Sequence, residues 1–352
     1  MRRSIALICI ILIFCVGFMY LLFLRSSFKT KRNNGFVRKT PVDTLSPAGF
    51  INVGFDSWYF SGFDRDRFFL GNSVAPRSVL VIDTALTLTD SLKLLVRSDR
   101  MIAWRSMKLS VDYPHFYLTE GSSPHHFSGV LPDNSVREIP MPLRSFDKVI
   151  ALSGTSLVFR TPDKKSNQNV LKKLRVDKPG NDVTHMLEKQ VDGFFCTDGE
   201  LLYDRPSGKM VYLYYYRNAF TVLDSNLKVL LKARTLDTVS RARLNLTEVT
   251  SRKKTSLASP PLLVNSRGCI YQHKLLVSSK LKADNEADKD FKQNFVMDIY
   301  NLNTGKYLHS LYLPKFGFKR ISDLYIYRDF LYVCYGSFIY KFNLKLSHFG
   351  QA

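Results

Sequence analysis

The stretch "DLYIYRDFLYVCYGSFIYKFNL" (323–344) decides the fold. It divides into three runs, "DLYIYRD", "FLYVCYG" and "FIYKFNL", each rich in Tyr, Phe, Ile and Val. Such residues favour a pleated, half-buried strand, and the Arg-Asp and Gly-Ser pairs between them mark tight turns. The runs read as a three-stranded meander with no fourth strand behind it. Similar runs recur upstream, among them "SWYFSG" (57–62), "SVLVID" (78–83), "HFYLTEG" (115–121), "SLVFRT" (156–161) and "KVLLKAR" (228–234). Beyond Phe50 helical periodicity is scarce, with modest candidates only at 86–95 and 183–190. The fold class expected is all-β.

Length chooses the architecture. About 300 residues of short antiparallel strands exceed one sandwich, and no linker divides them. Radial repetition at ~40–50 residues per four-stranded blade accommodates them as a β-propeller. The strands group as 55–98, 107–141, 147–190, 191–234, 260–313 and 320–343, so six blades are expected, with seven the alternative. The last group lacks one strand. The segment "AGFINVG" (48–54) is expected to supply it and so protect the open edge. The domain assigned to the propeller is 48–352. Two polar insertions, 161–182 and 281–293, read as exposed loops or long hairpins.

Within the fourth group, "KMVYLYYY" (209–216) is apolar at both alternating sets of positions. A strand apolar on both faces is buried on both, as a middle strand between neighbouring blades would be. The preceding "TDGELLYDRPSGK" (197–209) reads as hairpin connections, with Asp198-Gly199 as turn chemistry.

The N-terminus has a different character. Ser4 to Leu24 is an uncharged run of 21 residues, and ~20 helical residues cross a bilayer core. The run stays bulky to its end, with no small-residue cleavage site, so residues 1–24 read as an uncleaved transmembrane signal anchor. Residues 25–47 are polar and basic and read as a juxtamembrane tether. Arg2 and Arg3 precede the run, whereas Arg25, Lys29, Lys31, Arg32, Arg38 and Lys39 follow it. Charge counting alone favours a cytoplasmic propeller. Long domains translocate largely regardless of charge, however, and a double arginine ahead of the anchor resembles an export signal. The expectation is a single-pass cell-membrane protein with a periplasmic or extracellular propeller.

The 352 residues carry a net charge of +21 with 45% hydrophobic content, which excludes general disorder. A basic surface attracts phosphate, anionic lipid or acidic polysaccharide. No helix-turn-helix, zinc-finger or RNP-like pattern accompanies it, so nucleic acid is not expected as a partner. Of the five cysteines, Cys9 and Cys15 lie in the apolar run, while Cys196, Cys269 and Cys334 stand far apart without a CxxC. Buried thiols are expected, with one bridge among the last three left open.

Several phrases carry a resemblance: "FFLGNSVAP" (68–76), "HFYLTEG" (115–121), "SLVFRT" (156–161), "LEKQVDGFFCTDGELLYD" (187–204), "YLYYYRNAFTVLD" (212–224) and "RTLDTVS" (234–240). Together they resemble an uncharacterised family of membrane-anchored propeller-like proteins of Bacteroidota. At the level of fold the chain is similar to TolB-like and NHL-like propellers. The resemblance implies fold and location and brings no activity with it.

No catalytic signature is present: there is no GxSxG, GxGxxG, P-loop or HExxH. His125 and His126 are adjacent and on a strand would point to opposite faces, so no metal site and no cofactor are expected. Cys196 has no histidine partner in a recognisable signature. Asp192, Asp198, Glu200 and Asp204 offer carboxylates for acid–base work should they reach a central channel. A further pattern is an apolar strand running into a polar group: Asn72, Arg160, and the pair Arg217 and Asn218. Equivalent strand ends would converge on one face, so Asn72, Arg160, Asp192, Arg217 and Asn218 are the expected ligand-binding residues. The alternative is that each caps a strand or pairs with a neighbouring carboxylate. The function expected is binding or scaffolding for a protein or polysaccharide partner, rather than an enzyme. The alternative is a propeller hydrolase or lyase using channel carboxylates.

Overall fold

The computed structural model describes residues 2–28, 34–40, 42–96, 102–122, 125–131, 133, 135–139, 143, 145–177, 183–249, 254–317 and 320–344. Six sheets form six blades, antiparallel except for a short parallel outer strand in blades 2 and 5. Their innermost strands are Trp58–Asp64, Met107–Asp112, Lys148–Ser153, Gly199–Asp204, Asn265–Tyr271 and Ile321–Tyr327. Each of these touches the inner strand of the next blade, and the sixth touches the first, so they close a ring. The protein is a six-bladed β-propeller.

Blade 6 confirms how the ring shuts. Its strands Ile321–Tyr327, Phe330–Tyr335 and Phe338–Asn343 come from the far end of the chain, and the outer strand is Pro47–Asn52. Ile51 stands opposite Ile339 and Asn52 opposite Phe338, and the Val53 amide donates to the Ser337 carbonyl at 2.8 Å. This pairing covers the ladder edge that Phe338–Asn343 would otherwise expose.

Six apolar interfaces fill the spaces between blades. Val211, Leu213, Phe220 and Val222 of blade 4 pack on Leu275, Val277 and Tyr300 of blade 5. Met210, Tyr212 and Tyr214 pack on Val158 and Leu171 of blade 3. Alternate side chains of Lys209–Tyr214 therefore face opposite neighbours, which is why the segment is apolar at every position from Met210 to Tyr214. Phe68 and Tyr332 join blades 1 and 6, their ring centroids 4.6 Å apart.

Several expectations are corrected. The helix candidates at 86–95 and 183–190 hold strands instead, Leu88–Lys93 and Val183–Met186, each the outer strand of its blade. The region 161–182 holds part of a long hairpin, as one of its two readings expected, but Ser156–Asp163 paired with Gln168–Arg175 forms the middle of blade 3 and is largely buried rather than exposed. Residues 178–182 lie outside the described residues. The region 281–293 includes the short helix Asp288–Gln293. A separate hairpin, Leu246–Val249 with Lys254–Leu257, is inserted between blades 4 and 5. Asp198-Gly199 is no hairpin turn. It opens the inner strand of blade 4, and a Cβ on Gly199 would lie 2.4 Å from the Leu213 carbonyl oxygen. The turn falls at Arg205–Gly208, where Gly208 adopts φ +64°.

Part of the segment read as a tether belongs to the propeller. Asp43–Thr44 adds a parallel fifth strand to blade 5 beside Leu311 and Tyr312. Phe36 and Leu45 are buried, and Arg38 is 2% exposed. The Arg38 guanidinium donates to both carboxylate oxygens of Asp298 (2.8 and 3.1 Å), to Ser279 Oγ (2.9 Å) and to Glu286. Upstream, a helix spans Arg2–Phe28. Among the described residues no helix is long and apolar enough to cross a membrane.

Candidate functional site: the upper mouth of the channel

All six inner strands start on one face of the ring and end on the other. We term these the upper and lower faces. The second strand of each blade ends on the upper face, as the pairs Trp58 with Asn72, Lys148 with Arg160 and Gly199 with Tyr214 show. At nearly the same step below the upper rim, each inner strand presents one polar side chain: Tyr59, Lys108, Lys148, Glu200, Arg267 and Asp323. Five of the six are charged. Strand alternation sends their neighbours into the blade interfaces and leaves the five charged side chains for the channel, whereas Tyr59 packs against the core between blades 1 and 2 and its hydroxyl accepts the Leu109 amide.

The ring is unevenly neutralised. Arg267 Nη1 donates to Glu200 Oε1 at 2.9 Å, and the Gly268 amide donates to Oε2 at 2.9 Å. Asp323 accepts the Phe60 and Leu324 amides, each at 2.9 Å. On the opposite arc, the Lys108 ammonium lies 4.9 Å from the Tyr59 ring centre and that of Lys148 5.6 Å from the Tyr215 ring centre. The carboxylates near Lys148 are engaged by arginines: Asp147 and Asp198 by Arg160, and Glu200 by Arg267. Burial, then the charges of Arg267 and Lys148, hold the Lys108 pKa below its usual value. Burial raises Glu200 against the pull of Arg267, and it raises Asp323 to about 6.

The raised Asp323 makes a stability prediction. In the unfolded chain the carboxyl ionises near 3.9, whereas in the folded chain it keeps its proton to about 6. Its contribution is intact below pH 4 and is lost as pH rises through 6. Asp323→Asn lacks an ionisable group, so its melting temperature is expected to fall less between pH 4 and pH 7 than that of the parent. Parallel thermal melts across that range check this, and identical slopes would refute it.

The lower mouth is different. Arg205, from the turn after the inner strand of blade 4, donates to Asp112 at the end of the inner strand of blade 2. This contact braces one end of the channel, leaving the upper mouth with the cationic arc.

The expected site residues lie as follows. Arg160 is 2% exposed and donates to Asp198 Oδ1 at 2.7 Å, to Asp147 and to the Phe194 carbonyl. Asp192 accepts the Phe194, Phe195 and Cys196 amides and shapes the loop 191–197. Arg217 lies 3.8 Å from the Tyr214 ring centre and donates to the Glu188 carbonyl. Asn218 donates to the Asp237 carbonyl. Asn72, on distant blade 1, accepts the Val74 and Ala75 amides. All five belong to upper-face strand ends or connections. The structure gathers Arg160, Asp192, Arg217 and Asn218 around blades 3 and 4 and leaves Asn72 apart. His125 pairs with Glu138, while His126 is buried 5.4 Å from the Phe146 ring. Cys196, Cys269 and Cys334 are free, buried thiols.

Of the channel ring, sequence reasoning named only Glu200. The signal was a charged residue at the head of otherwise apolar inner strands, as in "MKLSVD", "DKVIALS", "GELLYD", "SRGCIY" and "SDLYIY". It becomes visible once the inner strand of each blade is known.

No family model matches this chain, and no curated protein sequence does. Solved propellers do. The Cps50 (Swd1) β-propeller domain of Myceliophteria thermophila is 12% identical, with a TM-score of 0.44 over 86% of this chain and 100% of that one. Virginiamycin B lyase from Staphylococcus aureus, solved with quinupristin, is 9% identical, with a TM-score of 0.48 over 84% and 99%. YCF48 bound to D1 peptide is 11% identical, with a TM-score of 0.45 over 87% and 99%. At such distances the likeness concerns the fold, and no function is carried across.

Proposed function

We propose that this protein is a binding or scaffolding propeller whose upper channel mouth receives an anionic group of a protein or polymer partner. The carrying observation is the convergence of Lys108 and Lys148 on one arc, where the carboxylates described near them are bonded to an arginine or to backbone amides. Two such ammonium groups repel one another, and an incoming anion relieves that repulsion. Asn72, Arg160, Asp192, Arg217 and Asn218 serve in this reading as supports for the surrounding loops.

The same proposal includes anchoring in a cell membrane through residues 4–24, with the propeller extracytoplasmic. The uncharged length of that run supports it. So do the exposed apolar side chains from Ile10 to Leu22, which form no amphipathic stripe.

The test is calorimetric titration of the detergent-solubilised full chain with polyglutamate and oligogalacturonate. Lys108→Ala/Lys148→Ala is expected to weaken at least one of them about tenfold. Lys228→Ala/Lys306→Ala, on the lower face, is expected to leave both unchanged. Equal losses from both pairs would reduce the binding to general surface charge and defeat the reading.

One observation favours a second reading as a hydrolase or lyase. Burial raises the Asp323 pKa to about 6, a range in which a carboxyl can act as general acid or base. Polymer cleavage that disappears in Asp323→Asn would select it.

A further inference from the structure

Beside the cationic arc lie aromatic faces that the ring itself does not explain. Tyr215 and Tyr216 follow the second strand of blade 4, both half-buried, with ring centroids 6.3 Å apart at 66°. The Tyr216 hydroxyl donates to Asp198, which fixes that ring at the rim. Tyr215 is held through its backbone: its amide donates to the Asp198 carbonyl, and its carbonyl accepts the Val264 and Asn265 amides. Its ring lies next to Lys148 and within the fields of Glu200 and Arg267. Phe194, 36% exposed, stands on the neighbouring loop. The mouth thus combines rigid aromatic faces, two ammonium groups and carboxylates able to accept hydroxyl hydrogen bonds.

We infer that the ligand taken at this mouth is an acidic saccharide, one sugar ring lying on Tyr215 with its carboxylate at Lys108 and Lys148. The inference rests on the reading of the upper mouth as the binding site and names the ligand class. A sugar ring offers an apolar C–H face to stack on an aromatic ring and hydroxyls around its edge. Those hydroxyls find Glu200 beside Tyr215 and Asp323 on the facing arc. The carboxylate supplies the charge that the opposite arc lacks. A protein partner fits less well. Protein interfaces concentrate apolar residues and exclude charge at their centre, whereas here five of the six ring positions are charged.

The experiment uses the full chain in detergent and three probes: oligogalacturonate, the same oligosaccharide with its carboxyls reduced to alcohols, and a polyglutamate peptide of equal charge. Calorimetry is expected to show binding of the first and a loss of about tenfold or more for the second. Tyr215→Ala is expected to weaken the first about tenfold, with Tyr215→Phe restoring it, because the ring face rather than the hydroxyl carries the stacking. Lys148→Met, which keeps the side chain's bulk, gives a second variant whose folding is checked by an unchanged melt. Reduced and acidic oligosaccharides binding alike would overturn the inference, as would a Tyr215→Ala variant that binds like its parent. Polyglutamate binding that is lost in Lys148→Met while oligogalacturonate fails to bind would overturn the saccharide and leave the mouth as a site. No dependence of any probe on Lys108 or Lys148 would overturn both.

Discussion

Arg38→Ala is expected to lower the stability of the propeller by about 3–5 kcal/mol, among the largest effects of any single substitution in this chain. The Arg38 guanidinium is 2% exposed and is the shared partner of Asp298 and Glu286. Both acids are buried beneath it, Asp298 being further bonded to Ser310 Oγ at 2.6 Å and Glu286 to the Tyr312 hydroxyl at 2.8 Å. Removing the cation leaves two buried carboxylates facing each other without compensation. Desolvation then penalises their charged forms, and the chain must protonate them, admit water or release the segment 34–45. The melting temperature at neutral pH measures the loss. A second measurement separates charge from packing: Arg38→Met retains bulk, so Arg38→Met with Asp298→Asn and Glu286→Gln should recover much of the stability. A single Arg38→Ala variant melting within a degree of the parent would show that the cluster contributes little.

The second large effect concerns closure of the ring. A chain beginning at residue 34 keeps the segment bearing Arg38 and the outer strand Pro47–Asn52, and it is expected to fold as a monomer with the parent melting profile. A chain beginning at residue 54 loses both. Phe338–Asn343 then presents an open ladder edge, and cover is lost by Phe342 at the join between blades 5 and 6 and by Ile339 at the join between blades 6 and 1. An exposed apolar edge of that kind recruits other chains. The shorter chain is expected to elute as aggregate and to melt without a cooperative transition. Monomeric elution with an unchanged melt would show that three strands suffice for blade 6. Both chains lack the N-terminal helix, so their difference reports the loss of the closing strand together with the segment bearing Arg38.

The contrast between Pro47–Asn52 and Arg38 shows what could be read from the chain. The missing fourth strand was legible because each blade has a local pattern of short apolar runs and turns. A group with three runs therefore announces a vacancy, and 48–54 has the composition to fill it. Arg38 was not legible. In sequence it stands among Lys29, Lys31, Arg32 and Lys39 and looks like one more solvated base of a tether. Its partners lie about 250 residues away, at positions 286 and 298, and only the docking of the segment on blade 5 brings them together. Asp198-Gly199 failed for a related reason. An Asp-Gly pair has turn chemistry by itself, but here the glycine is demanded by the Leu213 carbonyl and the aspartate is held by Arg160 and Tyr216.

The candidate site divides along the same line. Polar residues at strand ends were visible individually, among them Arg160, Asp192, Arg217 and Asn218, and Glu200 was visible as a carboxylate. That Tyr59, Lys108, Lys148, Glu200, Arg267 and Asp323 occupy one level of one channel was not. The sequence by itself determined strand content, the strand that closes the ring and the uncharged N-terminal run, and favoured six blades over seven, because alternation, turn chemistry and length act within about fifty residues. Only the tertiary structure decided which charges are buried together and which remain for a ligand, because these depend on contacts between residues far apart in the chain and on the dielectric that burial creates.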